Sequence, residues 1–187
     1  SGVTFFDTAD VYGDGRSERM IGRFRAENPE VPIMVATKMG RRVDQVPENY
    51  TLQNFRAWTD RSRRNLGMDQ LDLVQLHCPP TAVYAQDQIY DALDQLVADG
   101  VIANYGVSVE TVDEAQRAIQ YPAVQSVQII FNLFRPRPAE TFFQHAAGRQ
   151  VGILARVPLA SGLLTGKLTR DSTFPDDDHR TFNRDGE

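Results

Sequence analysis

A single cysteine, Cys78, stands among the 187 residues, so no disulfide can form within the chain. That usage points to a reducing compartment, the cytosol. Positive charge is also short: 20 Lys and Arg face 25 Asp and Glu, for a net charge of −5. This balance argues against a nucleic-acid binder, which needs a basic surface. No apolar run approaches the ~20 residues of a membrane span. The three histidines, His77, His145 and His179, are scattered and form no HxH pair, so a metal-dependent hydrolase lacks its ligands and no metal is expected. His145 falls inside a helical segment and reads as structural. Glycine-rich phosphate loops are missing too. GDGRSE, around Gly13 and Gly15, lacks a third glycine, and GLLTGK is one residue short of a P-loop with no Ser or Thr after Lys167. The sequon at Asn49 is of a kind common by chance.

What the chain does contain is alternation. Short apolar, β-branched runs at 3–6, 31–36, 71–76, 103–109, 124–130 and 151–157 read as strands, nearly uninterrupted as in parallel strands buried on both faces. Helical patterns lie between them at 17–27, 51–66, 86–98, 111–120 and 138–147. Ser17 is expected to cap the first, Gly100 to stop the third, and Pro138 to sit in a first turn. Leu52, Phe55, Thr59 and Leu66 share one helical face, as do Ile89, Leu93, Leu96 and Val97. The tail from Thr173 reads as a polar loop.

The strands recur about every 25 to 40 residues, the period of a (β/α)8 TIM barrel. An open doubly wound sheet is the alternative from periodicity alone. The fold class read here is α/β, a TIM barrel of which about six βα units are present, with residues 1–187 forming one partial domain. Six strands do not close an eight-stranded barrel, so the chain reads as a portion of a longer one.

Several polar residues fall just past predicted strands: Asp7, Lys38, His77 and Ser108, with Pro158 after the last. In barrels that end of the strands forms the active face. Tyr12 follows Asp7 closely in FFDTADVYG. Singly, each has an ordinary explanation as a turn cap or a solvated group; together they gather proton-transfer chemistry.

FFDTADVYG, ATK, LVQLH, GVS and PLASGLLTGK, running from Phe5 to Lys167 in this order, closely resemble the aldo-keto reductase family. The resemblance implies a barrel that reduces aldehydes or ketones to alcohols with NADPH, NADH not being excluded. It implies Tyr12 as general acid, with Asp7, Lys38 and His77 as its partners. An ammonium about 4 Å from a tyrosine is worth roughly 4 kcal/mol at an effective dielectric of 20, so Lys38 is expected to lower the Tyr12 pKa, less what Asp7 cancels. The resemblance further implies nicotinamide contacts from Ser108, Gln128 and Asp7, and a pyrophosphate loop of Pro158, Leu159, Ser161, Gly162 and Leu164. Two positions depart from the usual pattern. Val109 replaces a common asparagine, and Arg156 stands where many members carry an aromatic residue. Arg156 is read as a cofactor contact, against a salt bridge to a nearby carboxylate. The partner is a small carbonyl compound, with neither nucleic acid nor membrane. A non-catalytic cofactor-binding or redox-sensing subunit is the competing reading. Trp58 is placed away from the site.

Overall fold

The computed structural model describes residues 2–182. Six strands alternate with helices: β1 (Phe5–Asp7), α1 (Arg16–Glu27), β2 (Met34–Met39), α2 (Leu52–Leu66), β3 (Leu73–His77), α3 (Asp87–Ala98), β4 (Tyr105–Ser108), α4 (Val112–Ala118), β5 (Val124–Ile130), α5 (Arg137–Glu140), α6 (Phe142–Gly148), β6 (Gly152–Arg156) and α7 (His179–Phe182). All the strand pairs are parallel and the order is sequential, β1 to β6. A doubly wound sheet reverses its order at a switch point, and none occurs here.

The sheet curls strongly. Gln128 on β5 donates to the Asp7 carboxylate on β1 at 3.0 Å. In a flat sheet those strands would lie roughly 19 Å apart, at ~4.8 Å per neighbour. The inner face is polar. Lys38, Gln75, Gly106 and Ser126 align across β2 to β5, and His77, Ser108 and Gln128 align one layer above. The alternate residues Val35, Val74, Leu76, Val107, Val127 and Ile129 point outward and join one apolar cluster with Phe55 and Trp58 of α2 and Ile89, Leu93 and Leu96 of α3. Strands β2 to β5 are therefore buried on both faces as expected, but one of those faces carries polar groups. The edge strands β1 and β6 are only partly covered.

Gly106 makes the inner layer possible. It lies between Gln75 and Ser126, whose side chains hydrogen-bond past it at 3.1 Å. A Cβ there would stand 2.2 Å from Ser126 Oγ and 2.4 Å from its carbonyl oxygen. Gly106→Ala should destabilise the protein by about 1–3 kcal/mol or more, the usual cost of overpacking. Urea denaturation checks this, and an unchanged midpoint would mean that the layer is loosely packed.

Helix ends follow local chemistry. Thr51 Oγ1 accepts from the Asn54 N–H at the start of α2, and Thr111 with Glu114 forms a reciprocal capping box on α4. Gly100 follows α3 at φ 70°, as expected of a stop. Four expectations need correcting. Ser17 does not cap α1: Gly15 does, in the left-handed region, and the Ser17 hydroxyl instead accepts from Thr8. The 138–147 helix is two helices, broken at Thr141, whose φ of −138° is not helical. The tail is not wholly loop, since α7 adds one turn. Val97 also departs from its predicted face and is exposed.

Candidate active site

The predicted site residues converge at the carboxyl ends of the strands. They occupy the last strand positions themselves rather than the loops beyond: Asp7 ends β1, His77 ends β3, Ser108 ends β4, and Lys38 is next to last in β2. Lys38 is fully buried. Its ammonium is fixed by both Asp7 oxygens, at 2.7 and 2.9 Å, and by the Thr8 carbonyl at 2.8 Å. Gln128 holds Asp7 from the far wall.

Tyr12 stands over this pair on the loop after β1. The Lys38 ammonium lies 5.3 Å from the centre of its ring, and His77 meets the ring edge-on at 5.9 Å. The loop is pinned to β2 by Asp10 N–H donating to the Lys38 carbonyl at 3.1 Å. The four catalytic candidates thus lie side by side, with Tyr12 partly open to solvent.

The electrostatics differ from expectation at Tyr12. Burial, then the Asp7 charge, raises its pKa above the ordinary value, while Arg156 and Arg41 pull it down. The expected net lowering is absent, because burial and the Asp7 charge outweigh the nearby cations. Lys38 itself is shifted down by burial, against the opposing pull of Asp7. His77 is pushed down to about 3, by burial first and then by Arg41, Lys38 and Arg156. It is neutral near pH 7 and serves as a hydrogen-bonding group, not as a cation.

The proposed cofactor residues lie along the same rim. Ser108 and Gln128 are buried beside Asp7 and His77, and the Ser108 hydroxyl is 3.3 Å from Cys78 Sγ. Arg156 forms the carboxylate pair that was weighed against cofactor contact: it donates to Glu110 at 2.9 Å and to the Val109 carbonyl at 3.2 Å. After β6 the chain enters a strained turn. Val157, Ala160 and Ser161 have φ near +50°, followed by Gly162 at +97°. Consecutive left-handed residues cost free energy and cluster where backbone N–H groups approach a ligand. Leu159 is exposed there and Leu164 follows in the 3₁₀ turn Ala160–Thr165. This turn and the Ser108–Gln128 row suit the pyrophosphate and nicotinamide halves of a dinucleotide. Trp58 packs in the core against Tyr50 and Phe55, away from the site. His145 contacts Gln116 on the outer helices. Among the described residues no group of three metal-binding side chains occurs, and no helix is long and apolar enough to cross a membrane.

Three residues escaped the sequence reading. Glu110 anchors Arg156, Gln45 donates to the His77 and Cys78 carbonyls, and Asp10 is buried with no side chain holding either carboxylate oxygen. Asp10 alone had a signal, its place between Asp7 and Tyr12.

Known proteins resemble this chain over nearly its whole length. The family model for the Aldo/keto reductase family matches residues 1–186. Oxidoreductase YqkF of Bacillus subtilis, whose role is uncharacterised, is 32% identical over 170 residues, covering 89% of this chain and 55% of that protein. Aldo-keto reductase yakc [NADP(+)] of Schizosaccharomyces pombe is 30% identical over 189 residues, covering 96% and 55%. The solved glycerol dehydrogenase AKR11B4 of Gluconobacter oxydans superposes with a TM-score of 0.83 at 33% identity, over 98% of this chain and 57% of that one. The chain spans about half the length of the curated relatives it matches. It belongs to the aldo/keto reductase family.

Proposed function

We propose that the protein reduces aldehyde or ketone carbonyls to alcohols with NADPH, and that its six βα units are part of an eight-stranded (β/α)8 barrel. The observation that carries this reading is the ion pair of buried Lys38 with solvent-reached Asp7 beneath Tyr12, with His77 against the Tyr12 ring. The curled sequential sheet and the likeness to the glycerol dehydrogenase support the barrel. The NADP(+) relative supports the cofactor choice, and the single buried cysteine supports a cytosolic location.

A bound nicotinamide supplies the hydride. Ser108, Gln128 and Asp7 would hold its ring and ribose, and Pro158, Leu159, Ser161, Gly162 and Leu164 its pyrophosphate. Arg156 would face the ring while remaining paired to Glu110. Charge develops on the substrate oxygen as the carbonyl carbon is reduced, and Tyr12 gives that oxygen a proton. Lys38 favours the tyrosinate left behind, and Asp7 keeps Lys38 charged and oriented. Neutral His77 donates to the same oxygen and sets the direction of the carbonyl.

The test is NADPH oxidation by the full-length protein with an aromatic aldehyde, with the alcohol counted against the NADPH consumed. One alcohol per NADPH is expected. Tight NADPH binding without any alcohol would favour a cofactor-sensing subunit instead.

A further inference from the structure

The basic groups around the pocket are almost all paired. Lys38 has Asp7, Arg156 has Glu110, and Arg42 and Arg61 both have Asp14. Arg41 is the exception. It is exposed, and among the described residues no carboxylate or carbonyl holds its guanidinium.

Its backbone is nevertheless tethered through its neighbours. Arg41 follows Gly40, which takes φ +110° with its Cα side packed against the Tyr50 ring. On one flank Arg42 ties the segment to Asp14, two residues past Tyr12, at 2.6 Å. On the other, Gln45 ties it to the His77 and Cys78 carbonyls at 3.3 and 2.9 Å. The backbone of Arg41 is therefore held between the loop that carries Tyr12 and the strand end that carries His77. The charge is felt on both sides: it disfavours protonation of His77 and favours ionisation of Tyr12. Lys38, Arg156 and Arg41 all act electrostatically on His77, and the Arg41 charge also reaches Glu110. A long side chain at the mouth, with a planar fork of free donors, is suited to bind a carboxylate in two parallel hydrogen bonds.

We propose that Arg41 is a specificity-determining residue that binds the negative charge of an anionic carbonyl substrate, a carboxylate-bearing aldehyde or ketone, while the carbonyl lies between Tyr12 and His77. This rests on the reductase reading above. A rim guanidinium would also raise the encounter rate of such substrates, and salt would weaken that effect.

The experiment compares 4-carboxybenzaldehyde with its neutral methyl ester, using full-length wild type, Arg41→Gln and Arg41→Lys, varying aldehyde at saturating NADPH and then NADPH at saturating aldehyde. Hydrogen bonds to charged groups are worth about 1.5–3 kcal/mol, roughly 10- to 100-fold. Arg41→Gln should lose about that factor in kcat/KM on the carboxylate, mainly through KM, and change less than about twofold on the ester. Arg41→Lys should recover part of the loss. Equal losses on both aldehydes would overturn the proposal and make Arg41 a loop-positioning residue. A rise confined to the KM for NADPH would also overturn it, since the anion would then be a cofactor phosphate. Binding of the product, 4-hydroxymethylbenzoate, to the NADP-loaded protein is measured in parallel by calorimetry. If wild type reduces neither aldehyde, the reductase reading fails by itself. Product binding that depends on Arg41 would then still sustain the anion site, and binding indifferent to Arg41 would reject it.

Discussion

Tyr12→Phe should lower kcat for aldehyde reduction by about 10²–10⁴-fold, the usual worth of a positioned general acid, while the Kd for NADPH stays within about twofold. The substitution removes one oxygen and little else. The ring contacts survive, because the edge-on packing against His77 and the placement over the Lys38 ammonium involve the ring and not the hydroxyl. Among the described residues no side chain holds that hydroxyl, so no internal hydrogen bond is lost and no buried partner is orphaned. The remaining donor, His77, is neutral and held down to about 3. It orients the oxygen well but is a poor proton source. Stopped-flow turnover and a fluorescence titration of NADPH check the two halves separately. A variant that turns over within a few-fold of wild type would remove Tyr12 from the chemistry, and a lost Kd would make its role one of binding.

The second large effect concerns stability. Asp10 is 1% exposed and no side chain holds either carboxylate oxygen, with only the Val11 N–H near it. Its pKa is pushed up to about 7, by burial first, then by the nearby Glu18 charge, with Arg61 and the Val11 N–H opposing. In the unfolded chain it titrates near 3.8. Between those values the folded protein holds a proton that the unfolded chain has released. The neutral form's stability is therefore complete below about pH 4 and is lost as pH rises through 7. Three pKa units correspond to roughly 4 kcal/mol as an upper figure. Asp10→Asn keeps the group neutral at every pH, so it should remove this slope and leave the variant more stable than wild type at pH 8. Urea denaturation of both proteins at pH 5 and pH 8 decides the matter. Parallel pH dependences would show that Asp10 is ionised in the folded state and partnered by ordered solvent.

The parts of the fold that were legible in the sequence are those set by neighbours along the chain. β5 matches its predicted run from Val124 to Ile130 residue for residue, because most of its residues are buried. The starts of α2 and α4 follow from Thr51 and Thr111, whose capping partners lie three residues on. Where distant residues decide, the pattern misled. Ser17 has the chemistry of a cap, yet the left-handed run through Gly13, Asp14 and Gly15 sets the start of α1, and Thr8 on the β1 side takes the serine hydroxyl. The break at Thr141 has no punctuating Gly or Pro to announce it.

The same division holds at the site. Asp7, Tyr12, Lys38 and His77 were recoverable from motif and from their place at strand ends. The sign of the Tyr12 shift was not, because it depends on how completely Asp7 cancels Lys38 and how deeply the ring is buried. Glu110 and Arg156 are 46 residues apart in sequence, and neither position alone calls for the other. Arg41 has no motif to single it out in the sequence; the tethers of Arg42 and Gln45 are what set its backbone between the Tyr12 loop and the His77 strand end.

The central claim is that this pocket passes a hydride to a carbonyl carbon. The most direct measurement uses NADPH deuterated at one and then at the other C4 position, with the full-length protein and an aromatic aldehyde, followed by mass spectrometry of the alcohol. The account predicts one deuterium on the carbinol carbon from one labelled position and none from the other, since a fixed nicotinamide presents a single face. No deuterated alcohol from either, with the cofactor bound, would contradict it.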